Sequence, residues 1–126
     1  MQLVVIDFAI MAYNYIKTNY LETVAGGDKE LIRELVSMFR EQVAEIYSEM
    51  RSLMAEKDFK SLGLLAHKAK SSVAIMGMDE LAVLLKTFEL QAKEGKESGH
   101  YESYISRFAS DTASAVSELD DLVRNL

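Results

Sequence analysis

The run FKSLGLLAHKAKSSVAIM, from Phe59 to Met76, holds no proline and repeats its apolar residues three and four apart. At 100° per residue, Leu62, Leu65, Ala69, Ser72, Val73 and Met76 gather on one side, the pattern of a helix with one face in a core. His67 falls opposite that stripe and is expected to point to solvent. Lys60, Gly63, Leu64, Lys70, Ser71 and Ala74 share its face. A glycine inside a helix costs roughly 1 kcal/mol relative to alanine. That cost is justified where another surface must approach the backbone. Gly63, Ser71 and Ala74 are therefore expected to leave His67 standing on a low-relief patch open to a partner. Lys70, three residues on, and Lys68 beside the histidine place positive charge near the ring.

The rest of the chain has the same period. Leu31, Leu35, Phe39, Val43, Ile46, Met50, Leu53 and Met54 recur in one segment, and Leu81, Leu84, Leu85, Phe88 and Ala92 in another. A third carries Tyr101, Ile105, Phe108, Thr112, Ala115, Leu119, Leu122 and Leu126. Gly26-Gly27-Asp28 and Gly77-Met78-Asp79 each pair a helix stop with a start, and Asp58 caps the quoted helix. Gly95 to Gly99 is a polar connection. The expected helical segments run at about 4–25, 29–56, 59–76, 80–94 and 100–125. Only Leu3-Val4-Val5-Ile6 looks β-like, and it is too short to build a sheet. Short links between long helices favour antiparallel neighbours. The expected fold is all-α: an up-and-down antiparallel four-helix bundle with an extra N-terminal helical segment, one domain over 1–126. The first segment is expected to break near Thr18-Asn19 and to pack Phe8, Tyr13, Tyr15 and Tyr20 across one end of the bundle.

Composition narrows the function. A chain of 126 residues is the size of one domain with one core. It has no cysteine, which excludes disulfides, thiolate zinc sites and cysteine nucleophiles. Its net charge of −6 argues against nucleic acid, whose phosphates need a basic footprint. No apolar run approaches the roughly 20 residues of a membrane span. The apolar start, Met1 to Ile10, lacks a basic leader and is interrupted by Asp7, unlike a signal peptide. The expectation is a cytoplasmic monomer, although Leu3 to Ile6 could form a contact.

The His67 face suits one kind of chemistry. A neutral imidazole nitrogen is a nucleophile, and histidine is largely neutral at pH 7 with an ordinary pKa of about 6.5. Nearby lysines favour the neutral form and stabilise negative charge on a phosphoryl group. Phosphoryl transfer needs positioning and charge neutralisation more than bond-making side chains. The same residues also read as ordinary structure: His67 as a solvated surface residue, Lys68 and Lys70 as a charged face, Gly63 as a site of close helix packing.

The stretch Leu65-Ala66-His67-Lys68-Ala69-Lys70-Ser71-Ser72-Val73-Ala74-Ile75-Met76-Gly77 resembles the phosphorylation motif of histidine-phosphotransfer (HPt) domains. That motif has an Ala-His pair, a lysine three residues after the histidine, small residues next, and an aliphatic-Gly pair closing the helix. Tyr20-Leu21 to Leu31 and Leu84 to Gly95, with Phe88-Glu89 and Lys93, resemble the family's flanking segments, so the likeness spans roughly 18–125. It implies a helical bundle that is a phosphoryl carrier without autonomous kinase activity. His67 would be the phospho-accepting residue and Lys70 the phosphoryl-stabilising one. Gly63, Lys68, Ser71 and Ala74 would lie on the receiver-docking face. The implied partners are response-regulator receiver domains and a hybrid sensor histidine kinase, with Mg²⁺ in the receiver and no cofactor or metal in the carrier. Ser71 stands where the family usually has glycine, Val73 where serine is common, and Ala69 where a larger aliphatic is usual.

Four other readings compete. A histidine-kinase dimerisation domain typically follows its histidine with an acidic residue and soon a proline; here Lys68 follows, and there is no proline. The chain could be the phosphotransfer domain of a chemotaxis-type kinase. A non-phosphorylated helical interaction module could use the abundant methionines and the small-residue face. A metal-dependent enzyme is weakest, because His67 and His100 sit in no metal-ligand spacing. His100 reads as a loop residue near the last helix, and Asp120, Asp121 and Glu89 read as helix-surface and packing residues.

Overall fold

A computed structural model of the chain, describing residues 13–126, contains α1 (Asn19–Ala25), α2 (Lys29–Glu56), α3 (Phe59–Ile75), α4 (Asp79–Lys93) and α5 (Tyr101–Arg124). A 3-10 turn at Ser98–His100 leads into α5. The starts of α2 and α3 follow from their aspartates. Asp28 accepts the backbone N–H groups of Glu30 and Leu31, and Asp58 accepts that of Ser61, which relieves orphan donors at each helix end. The start of α4 differs from expectation. Met78 stands at its cap without a side-chain bond, and Asp79 is the first helical residue. The Asp79 carboxylate instead meets Lys17 Nζ at 2.8 Å.

α2 packs on α3 and α5, and α4 packs on the same two helices, so the four close into an up-and-down ring. α3 and α4 share the most extensive contact. Every residue of the expected α3 stripe is buried. In α2 the buried stripe runs through Ile32, Val36, Phe39, Val43, Ile46 and Met50, and the expected Leu31 and Leu35 lie half-buried at its edge. Tyr101 is fully buried, with its ring 5.1 Å from Phe59 and 5.3 Å from Phe88. Its hydroxyl donates to the carbonyls of Gln91 and Lys96, which makes the burial of that polar group tolerable.

The segment before α1 needs correcting. Residues 13–18 form an irregular strap, not a helix. Glu118 on α5 accepts the backbone N–H groups of Asn14 at 2.8 Å, Tyr15 at 2.9 Å and Ile16 at 3.1 Å. One carboxylate thus satisfies donors that a helix would otherwise have to pair. The Lys17 N–H then donates to the Met76 carbonyl at 3.0 Å, which ties the strap to the end of α3. Ile16, Leu21 and Ala25 are the buried residues of this region. Tyr13 is half-buried and donates its hydroxyl to Asp121 at 2.9 Å. Tyr15 and Tyr20 are exposed, contrary to expectation, because Ile16 and Leu21 take the inward positions. Phe8 and Leu3 to Ile6 lie outside the described residues. Among the described residues, no helix is long and apolar enough to cross a membrane.

Candidate functional site

α3 holds the His67 ring at the surface, but the ring does not stand free. Its Nδ1 lies 3.1 Å from both carboxylate oxygens of Glu89. Glu89 comes from α4, where Leu81, Leu85, Phe88 and Ala92 make the apolar stripe, and it is buried with them. Of the surface and packing roles expected for Glu89, burial excludes the first and supports the second. A buried carboxylate must be paired, and three lysines join His67 around this one. Lys93 Nζ donates to Oε2 at 2.8 Å, while Lys86 Nζ and Lys70 Nζ stand 3.8 Å and 3.9 Å from Oε1. Burial pushes the Glu89 carboxyl up. Hydrogen bonds from Lys93 and His67, with the charges of His67 and Lys86, outweigh it and hold the carboxyl down at about 2.

This fixes the ring chemistry. An ionised carboxylate can only accept, so Nδ1 must carry the proton when the ring is neutral. The lone pair then falls on Nε2, the nitrogen that Glu89 does not engage. A nucleophilic nitrogen on an exposed ring is backed by a buried negative charge, with three ammonium groups close by.

Of the other expected site residues, Lys70 joins this cluster as a half-buried side chain. Ser71 and Ala74 are exposed beside it, and the Ser71 hydroxyl donates to the His67 carbonyl at 3.4 Å. Lys68 is exposed on the α2 side of the helix, where it lines an open groove with Glu49, Leu53 and Leu64. Gly63 is a correction. It is buried against α4 and offers no open face. A Cβ there would lie 3.0 Å from both Cγ and the backbone N of Lys93, and 3.1 Å from the Glu89 carbonyl oxygen. The close-packing reading of Gly63 is the one its position supports.

The surface around the ring is cationic although the chain is acidic. α3 carries Lys60, Lys68 and Lys70 and no carboxylate, and α4 adds Lys86 and Lys93. Leu64 and Leu90 are exposed apolar residues on the same two helices. His100 lies at the start of α5 with its ring 6.1 Å from that of Tyr104. Asp120 pairs with Arg40, and Asp121 with Tyr13 and Arg124, so neither joins the His67 cluster.

Sequence reasoning missed Glu89, Lys86 and Lys93 as parts of the site. One signal was present: an acidic residue beside the apolar positions 85, 88 and 92, with lysines three before and four after it.

The family model described as the Hpt domain matches residues 34–126, a span that holds α3, α4, α5 and most of α2. No curated protein and no solved structure matched the chain.

Proposed function

Because the chain belongs to the Hpt domain family, which serves histidine phosphotransfer in two-component systems, we propose that it carries a phosphoryl group on His67 between receiver-domain aspartates. The observation that carries this reading is the contact of Nδ1 with the buried Glu89 carboxylate, which leaves Nε2 as the nucleophile. The Nε2 lone pair attacks the phosphorus of an aspartyl phosphate in line. The N–P bond forms, and the P–O bond to the aspartate breaks and returns its electron pair as a carboxylate. No proton has to leave Nε2. Nδ1 keeps its own, so the phosphorylated ring gains positive charge directly against Glu89. The reverse step regenerates the receiver phosphate.

Lys70 holds the phosphoryl oxygens. An exposed ring cannot exclude water by itself, so the receiver closes the site and brings Mg²⁺ to balance charge on the transferring group. Lys68, Ser71, Ala74 and Leu64 make the docking face, and a hybrid sensor histidine kinase feeds the relay. The chain acts in the cytoplasm as a monomeric carrier without kinase activity of its own.

The test is transfer from an acyl-phosphate-charged receiver, read by intact mass. Wild type should gain one acid-labile phosphoryl group. His67→Gln should gain none while keeping its helical spectrum. Labelling of that variant would place the acceptor elsewhere, and no transfer to wild type from a panel of receivers would move the function to non-phosphorylated interaction.

A further inference from the structure

We propose that Lys93 is the positioning residue that holds the Glu89 carboxylate against His67, and that Gly63 is what lets Lys93 reach it. The proposal rests on the reading of His67 as the phospho-accepting residue.

Glu89 and His67 sit on different helices, and a glutamate has three torsions with which to turn away. Two contacts restrain it at hydrogen-bond distance. One is His67 itself, and the other is Lys93, whose Nζ meets Oε2 at 2.8 Å. Lys70 and Lys86, at 3.9 Å and 3.8 Å from Oε1, attract the carboxylate without binding it so directly. Lys93 fixes one oxygen, and the other two lysines draw on the second. The carboxylate therefore lies with both oxygens 3.1 Å from Nδ1.

Lys93 closes α4, so its side chain must run back one turn to reach Glu89. Its path crosses Gly63, which lies one turn before His67 on α3. There a Cβ would stand 3.0 Å from Lys93 Cγ, closer than an ordinary van der Waals contact. The Lys93 N and the Glu89 carbonyl oxygen, at 3.0 Å and 3.1 Å from the same point, are backbone and cannot swing aside. An alanine at 63 must therefore push the last turn of α4 away from α3. That turn carries both the lysine and the carboxylate. The helix-interior cost of Gly63 thus serves the chain's own support for the ring.

The experiment uses the full chain as wild type, Lys93→Met, Lys93→Arg and Gly63→Ala. The chain has two histidines, so the His67 ring signals are identified by their loss in His67→Gln. Ring ¹⁵N shifts, read at a pH where the spectra themselves show the ring neutral, report which nitrogen holds the proton. Wild type should show the Nδ1–H tautomer. Lys93→Met and Gly63→Ala should shift the ring toward a mixture with the Nε2–H form. Both should slow transfer from a charged receiver, Lys93→Met by about tenfold, the scale of losing a partner that orients an imidazole. Lys93→Arg should restore most of the tautomer and rate.

A Lys93→Met protein with wild-type tautomer and rate overturns the proposal, as does one that differs only in melting temperature. If wild type takes up no phosphate, the functional reading fails. The ring tautomer, which needs no partner, then decides the role of Lys93 by itself.

Discussion

Nδ1 of His67 lies 3.1 Å from each oxygen of the Glu89 carboxylate, the histidine side chain being 55% exposed and the glutamate 3%. The pair spans the boundary between core and solvent. The carboxylate is inside, where its charge is felt strongly, and the histidine side chain is more than half exposed. Three lysines, Lys70, Lys86 and Lys93, gather within 4 Å of the same carboxylate and balance its charge.

Glu89 should tie part of the stability of the fold to acid. Its carboxyl sits at about 2 in the folded chain against an ordinary 4.5, so the unfolded chain takes up this proton first as pH falls. The stabilisation it contributes is complete above 4.5 and is lost as pH falls toward 2. Glu89→Gln leaves Lys70, Lys86 and Lys93 without their anion and should cost roughly 1–3 kcal/mol at pH 7. The gap between the two proteins should close across that acid window. Urea unfolding of both at pH 7, 4 and 2.5 checks it, and a gap that stays constant with pH would show that Glu89 does not titrate as described.

Lys70→Ala should separate rate from stability. Lys70 Nζ is 3.9 Å from Glu89, and Lys93 remains bonded to that carboxylate when Lys70 is gone. The loss of stability should stay under about 1 kcal/mol. Single-turnover transfer should slow by about a hundredfold, the scale of removing one preorganised donor from a developing charge. A stability loss with an unchanged rate would make Lys70 a packing residue.

Leu64→Asp should act on docking alone. The side chain is 58% exposed, so folding should change by less than about 0.5 kcal/mol. The change removes apolar contact three residues from His67 and presents a carboxylate to an aspartate-bearing partner. The receiver concentration for half-maximal transfer should rise about tenfold, equivalent to roughly 1.4 kcal/mol of binding, with the rate at saturation unchanged. Equal half-saturation for the two proteins would place the receiver elsewhere.

Much of this arrangement is legible in the residues themselves, and the exceptions have a common cause. The α3 stripe from Leu62 to Met76 is readable because every member depends only on its own helix period. The caps at Asp28 and Asp58 are readable because donor and acceptor lie within three residues. Glu89 is not, because its burial depends on cations from two helices meeting at one point. Gly63 offers two readings in sequence, and only the position of Lys93, thirty residues on, separates them. The strap at 13–18 is hidden most deeply. Its amides are paired by a carboxylate more than a hundred residues away, and no local pattern encodes that.

Two glycines with positive φ should answer differently to alanine. Gly26 has φ +54° with nothing within 4 Å of a built Cβ, so Gly26→Ala should cost only the backbone term, about 1 kcal/mol. Gly77 has φ +70°, and its Cβ would fall 2.5 Å from Lys17 Cβ and 2.9 Å from the Lys17 N and O. Gly77→Ala must lift the strap from the end of α3 and should cost about 3 kcal/mol. Equal losses in urea unfolding would mean that the strap does not press on Gly77.

The strap itself should open as a local unit when Glu118 is changed. Three N–H groups, of Asn14, Tyr15 and Ile16, share that one carboxylate, so Glu118→Ala orphans all three at once. They lie near the surface, where water can replace the lost acceptor, which keeps the global cost to roughly 1 kcal/mol. The Tyr13–Asp121 hydrogen bond at one end and the Lys17–Asp79 pair with the Lys17 N–H on Met76 at the other remain as anchors, so the strap should loosen between them without freeing α3. Amide exchange at Asn14, Tyr15 and Ile16 should rise toward open-chain rates while Leu119 and Leu122 keep their protection. If protection at residues 14–16 survives the change, the burial of Ile16 holds the strap and the carboxylate is incidental. If protection falls throughout α5 as well, strap and bundle unfold as one unit, and Glu118 stabilises the whole fold.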